Sequence, residues 1–142
     1  MLVGCNTPEL QQVAADILLN EIGVQPSADQ RAILWVDPKT RDVEWCVGYN
    51  AFIGKTCQMH VVNLKGKSTP RTLICAAFDY AFNTAGREVV FGVLNSANPH
   101  AVEYDRTGAT VAFSPRDDGG DIVLLQMRRD ECRWIKELKH AA

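Results

Sequence analysis

The sequence predicts an α+β fold: a single domain with a mixed, mostly antiparallel sheet, one parallel strand–helix–strand unit and helices on both faces. Three observations predict it. Residues 32–62 hold three β-rich runs separated by turn residues, which reads as an antiparallel meander. Residues 68–85 carry apolar side chains at helical spacing between two strand-like runs, 56–62 and 88–94. Two strands joined by such a helix pair in parallel, with a right-handed crossover.

Each element has its own signal. Thr7 is a candidate N-cap with Pro8 in the first turn, so residues 7–22 are expected to be helical. Leu10, Val13, Ala14, Ile17, Leu18 and Ile22 form its apolar face, and Gly23 ends it. Residues 24–30 are polar and loop-like. Ala32–Val36 reads as a strand and Asp37-Pro38-Lys39-Thr40 as a turn. From 43 to 49, Val43, Trp45, Val47 and Tyr49 face one way and Glu44, Cys46 and Gly48 the other. Residues 50–55 are either a bulged continuation or a second turn. Thr56–Val62 is the third strand, with Gln58 and His60 on one side and Cys57, Met59 and Val61 on the other.

The central helix can be capped by Ser68 or Thr69, with Pro70 in its first turn. It buries Leu73, Ile74, Ala77, Phe78, Ala81, Phe82 and Ala85, and Gly86 ends it. Residues 88–94 are almost continuously apolar, as in a strand covered on both faces. Asn98-Pro99 opens a short helix that Gly108 ends. Thr110–Phe113 and Ile122–Met127 read as two last strands around a polar loop, 114–120. A short helix from Asp130 carries Trp134, Ile135 and Leu138.

Composition sets the outer bounds. The 142 residues suffice for one domain with a real core. A net charge of -2 gives no general support for a nucleic-acid partner. No apolar run of about 18 residues suggests a membrane span, and no basic-then-apolar leader opens the chain. Cys5, Cys46, Cys57, Cys75 and Cys132 include no CxxC pair, so no metal site is expected. They read as small hydrophobes of a reduced, intracellular protein.

The chemically informative stretch is the loop after the third strand. Gly66 lets the backbone come close to a ligand, and Lys65, Lys67 and Arg71 surround it. A helix starts directly after it, offering free N–H groups and a positive dipole end. Residues 65–71 are therefore either an anion site or a solvated loop that is simply basic.

The order of elements resembles the GNAT superfamily of N-acetyltransferases. That family's acetyl-CoA loop, Gln/Arg-x-x-Gly-x-Gly/Ala, is matched in spacing by Asn63-Leu64-Lys65-Gly66-Lys67-Ser68, which differs at its first and last residues. Its second signature is matched by Asn98, Ala101 and Tyr104-Asp105-Arg106-Thr107-Gly108, one residue short between Ala101 and Tyr104. Residues 77–83 and 127–134 resemble the small GNAT-like proteins of tailed bacteriophages. The resemblance spans roughly residues 30–135.

The resemblance implies direct acetyl transfer from acetyl-CoA to an amine of a small molecule or protein. Lys65, Gly66, Lys67, Ser68 and Thr69 would meet the diphosphate, with Asn63 at the head of the loop. The pantetheine arm would pair with Val61 and Val62 like an added strand, and Asn98 would bond it from the other side. A strand N–H near Val61 would hold the charge that develops on the thioester oxygen. Tyr104 is the favoured proton donor to the leaving thiolate, with Asp105 the alternative if the motif is counted from Asn98. His60 is the candidate base, against the reading of an ordinary strand histidine. Glu44 would relay a proton through water if it is not simply a surface residue. Cys57 as an acetylated nucleophile ranks below a structural thiol. The alternative function is a GNAT-fold phage module without catalysis, structural, virion-associated or bound to a host protein. The implied location is the cytoplasm, the host's for a phage protein, with the virion as the other option. A homodimer is compatible with either function.

Overall fold

The computed structural model describes residues 1–95, 110–113, 116–117 and 120–135. Strand β1 (Leu2–Gly4) leads into helix α1 (Pro8–Ile22). The helix starts where local chemistry directs: the Thr7 side chain accepts a hydrogen bond from Leu10 N at 3.2 Å. It stops at Gly23, whose φ of 71° lets its N–H and that of Val24 close the last turn on Leu19 O and Leu18 O.

Strands β2 (Arg31–Val36), β3 (Val43–Ile53) and β4 (Thr56–Asn63) form the expected meander. Helix α2 (Arg71–Asp79) then crosses to β5 (Val89–Asn95), and β6 (Thr110–Phe113), β7 (Arg116–Asp117) and β8 (Gly120–Arg128) complete the described strands. Among the described residues the sheet order is β1-β2-β3-β4-β5-β8-β6, with β7 paired to β8. The β4–β5 pair is parallel and the other pairs are antiparallel. The fold is thus the α+β arrangement that the element order predicts.

Helix α1 lies on one face of the sheet and α2 on the other. Ala14 and Leu18 of α1 pack on Leu34, Val36, Cys46 and Val62. Leu73, Ile74, Ala77, Phe78, Ala81 and Phe82 pack on Ile33, Trp45, Val47, Tyr49 and Cys57 of the opposite face. Alternation along the strands divides these two sets. Gly48 is what lets α1 come close. A Cβ built there would lie 2.5 Å from Leu18 Cδ1 and 2.9 Å from Cδ2.

The central helix departs from the expected single run over 68–85. Pro70 takes the cap position, with no side-chain cap bond, and after Asp79 the helix widens into a π-helical turn, Tyr80–Thr84. The hydroxyl of the fully buried Tyr49 donates to Ala77 O at 2.6 Å, just before that turn. Arg129 reaches the far end, donating to Phe82 O and, at 2.7 Å, to Asn83 Oδ1. A partner from β3 thus meets a carbonyl just before the turn, and one from the segment after β8 meets a carbonyl within it.

Other expectations need correcting. Val13 and Ile22, expected on the buried face of α1, are exposed, because Leu10, Ala14, Ile17 and Leu18 carry the contact with the sheet. Val43 was placed beside Trp45, yet it packs on the α1 side with Val36. The β2–β3 register shifts there, Trp35 pairing Trp45 and Val36 pairing Val43, so Glu44 is an extra residue and the strand flips. Strand β5 is not covered on both faces: Val93 is 47% exposed. Residues 50–55 combine both options, a bulge with Ala51 at φ 51° and a turn at Gly54. The C-terminal stretch begins as a 3-10 turn, Arg129–Glu131, and buries Trp134 and Ile135 against the α2 core. Leu138 and the expected helix at 98–108 lie outside the described residues.

Candidate active site

The parallel pair is short. β4 and β5 are joined only at Thr56–Val89, Cys57–Val90 and Gln58–Phe91. From there the strands part: residues 59–63 keep β3 alone, and residues 92–95 keep β8 alone. The fork exposes one backbone edge of β4.

Alternation decides which groups line that edge. Leu64 N donates to Glu44 O at 2.9 Å, so Glu44 and Leu64 face each other as a bonded pair. Stepping by two along an antiparallel ladder, Val62, His60 and Gln58 also turn their N–H and C=O toward β3. Met59, Val61 and Asn63 turn theirs into the fork. A Cβ built on Gly92 would lie 3.7 Å from Met59 O, which places that carbonyl on the β5 side as the alternation requires. Of the two valines assigned to the pantetheine arm, Val61 offers backbone groups to the fork, while those of Val62 are directed at Cys46.

The loop at the mouth of the fork is held by its own contacts. Asn63 Nδ2 donates to Lys67 O at 2.8 Å, closing the turn. Gly66 has φ 65°, a left-handed value that an L side chain adopts only with strain, and a Cβ there would meet nothing within 4 Å. Among the described residues nothing covers the glycine. Asn63 Oδ1 is buried without a partner among the described residues. Ser68 is exposed and Thr69 half-buried.

The cations of this loop are already engaged. Lys67 forms an ion pair with Glu44, and Lys65 lies 3.9 Å from Asp42. The Glu44 hydrogen bond and charge raise the Lys67 pKa above its ordinary value. Glu44 is 8% exposed, so the surface reading of this residue is corrected: the bulge turns it inward onto the loop. The run of basic residues signalled the loop but not its acidic partners, Glu44 of β3 and Asp42 just before it, more than 20 positions earlier in the chain.

His60 lies on the α1 side of β4, half-buried, two residues past the last β4–β5 pair. Its Nε2 is 2.8 Å from Asn50 Oδ1. Burial pushes its pKa below the usual 6.5, favouring the neutral ring. Cys57 lies on the other face, in the α2 core, where burial pushes its thiol up to about 11. A thiol of that kind is a poor nucleophile. All five cysteines are buried. Asn98, Tyr104 and Asp105 lie outside the described residues. No group of three or more His, Cys, Asp or Glu among the described residues is arranged to hold a metal, and no described helix is long and apolar enough to cross a membrane.

A meander, a parallel strand–helix–strand unit that forks after three residue pairs, and a glycine loop at the mouth of the fork make up the arrangement that the GNAT resemblance implies. No family profile matches the chain, and no curated protein matches its sequence. Solved structures do match. A point mutant of spermidine N-acetyltransferase from Vibrio cholerae aligns with a TM-score of 0.71 at 15% identity, over 97% of each chain. The same enzyme in complex with CoA and spermine aligns with a TM-score of 0.68 at 15% identity, over 92% of this chain and 96% of that one. Its dodecameric form in an intermediate state aligns with a TM-score of 0.71 at 15% identity, over 96% of both. At such identities the likeness establishes the fold.

Proposed function

We propose that residues 1–142 form one acetyltransferase domain that moves an acetyl group from acetyl-CoA to the amine of a small molecule or protein. One observation carries the reading: the fork turns the Val61 backbone groups away from β3 on the strand that leads to Gly66, a positive-φ glycine where a Cβ would meet nothing within 4 Å among the described residues. An extended amide-bearing arm fits such an edge as an added strand. Its diphosphate would sit at residues 65–69, with Asn63 and Asn98 as further contacts and Val62 packing beneath. The cofactor supplies the activated acetyl group. The chain supplies a Val61 N–H for the developing negative charge, His60 as base and Tyr104 as proton donor. The neighbour that holds CoA and spermine supports a CoA donor and makes small polyamines the first acceptors to try. Its dodecamer supports looking for a homo-oligomer. The reading places the protein in the cytoplasm, the host's if the chain comes from a phage.

The test is calorimetric titration with acetyl-CoA, followed by thiol release with a panel of amines. Tyr104→Phe should keep cofactor affinity and lose about 10²–10⁴-fold in turnover. The engaged loop cations favour one second reading, a non-catalytic GNAT-fold module that binds a host or virion protein. Absence of both cofactor binding and thiol release would leave that reading in place of the first.

A further inference from the structure

His60 and Asn50 meet across the α1 face of the β3–β4 pair. His60 pairs with Gly48 and Asn50 with Gln58, so the two side chains are diagonal neighbours. An amide oxygen only accepts, so the ring nitrogen 2.8 Å from Asn50 Oδ1 must carry the proton. Among the described residues this is the ring's one hydrogen bond. In the neutral ring Nδ1 then holds the lone pair.

We propose that Asn50 is the positioning residue for the catalytic base: it grips His60 through Nε2–H and leaves the Nδ1 lone pair to take a proton from the acceptor amine. The assignment rests on the acetyltransferase reading and adds to it the atom that acts and the residue that selects it.

The step balances. An acceptor ammonium gives one proton to Nδ1. The freed amine nitrogen bonds to the acetyl carbonyl carbon, and the C–S bond breaks with its electron pair on sulfur. Tyr104 gives its proton to the thiolate and takes up the second nitrogen proton, and Nδ1 returns the first to water. Amine in its ammonium form and acetyl-CoA give amide, CoA thiol and one proton. Asn50 keeps its bond throughout, because Nε2 is protonated in both ring states.

The surroundings favour a neutral ring. Burial is the sole cause of the lowered His60 pKa, although α1 carries Glu9, Asp16 and Glu21 and the segment before β2 carries Asp29. Asn50 orients the ring without adding the charge that an aspartate would.

Nitrogen-15 NMR of the wild type tests the tautomer directly, with or without cofactor. The expected result is a protonated Nε2 and an unprotonated Nδ1, and the reverse tautomer overturns the proposal. Asn50→Asp keeps the shape and adds a charge. It should move the acidic limb of the kcat/KM profile about one pH unit upward, because a carboxylate beside the ring favours imidazolium. Asn50→Ala should lower kcat about tenfold with the KM for acetyl-CoA unchanged. Acetyl transfer with an unmoved limb in Asn50→Asp overturns the role of Asn50 and leaves the acetyltransferase reading standing. No transfer by the wild type to any amine removes both. The wild-type spectrum needs no variant, so a misfolded mutant does not block the test.

Discussion

Gly66→Ala separates a ligand cradle from an ordinary turn, because the molecule contains its own control. Gly66 has φ 65° and Gly54 has φ 56°, and a Cβ at either would meet nothing within 4 Å. Alanine at either site therefore brings a left-handed backbone penalty and no clash within the protein. That penalty is about 1–2 kcal/mol. For a chain of this length it lowers Tm by roughly 3–7 °C. Gly54 lies at the opposite end of β4 from the fork, so the two variants should lose similar stability and differ in binding. If the diphosphate passes over Gly66, its new methyl group intrudes. Affinity for acetyl-CoA should fall at least about tenfold, equivalent to 1.4 kcal/mol. Gly54→Ala should bind like the wild type. The assays are a thermal melt and a calorimetric titration on each variant. Equal affinity in the two variants would refute the cradle, whatever the melts show.

Three further outcomes are expected. Glu44→Gln releases Lys67 from its ion pair, so CoA should bind several-fold tighter and with a steeper salt dependence, while Lys67→Met should do the reverse; titrations at low and high salt decide. Gly48→Ala should cost about 1–3 kcal/mol by forcing α1 outward, and less in a Leu18→Ala background; equal losses in both, read from denaturant midpoints, would show that the close approach is not the cause. His60 has a folded-state pKa lowered by burial, so its contribution to stability is present above 6.5 and is lost as pH falls through the lower folded value. His60→Gln should flatten the loss of unfolding free energy over that window, well above the range where Asp29 and Asp37 titrate; an unchanged slope would exclude His60 as its source.

Much of this architecture was legible because it rests on neighbours in sequence. The Thr7 cap, the Gly23 stop and the apolar period of α1 act within a few residues of one another. Turn residues separate the strands of the meander, and period-two alternation assigned Trp45, Val47 and Tyr49 to one face and Cys46 and Gly48 to the other. The parallel pairing of β4 with β5 followed from the strand–helix–strand order, and the loop after β4 was marked by Gly66 and the lysines. Strand β1 escaped notice, since three residues hold no readable period and pair only because β2 offers an edge.

What tertiary structure alone decided concerns groups far apart in the chain. A bulge opposite Trp35 and Val36 flipped Val43 and turned Glu44 onto Lys67, so that a loop read as free positive charge is internally neutralised. Tyr49 and Arg129 reach the carbonyls of a helix whose widening into a π turn at Tyr80–Thr84 composition does not reveal. Asn50 meets His60, ten positions away, through a ladder register no local pattern reveals. Local signals choose elements because their energies depend on short separations. Ion pairs, buried hydroxyls and ring tautomers depend on which strands become neighbours, and that is settled only when both faces of the sheet are covered at once.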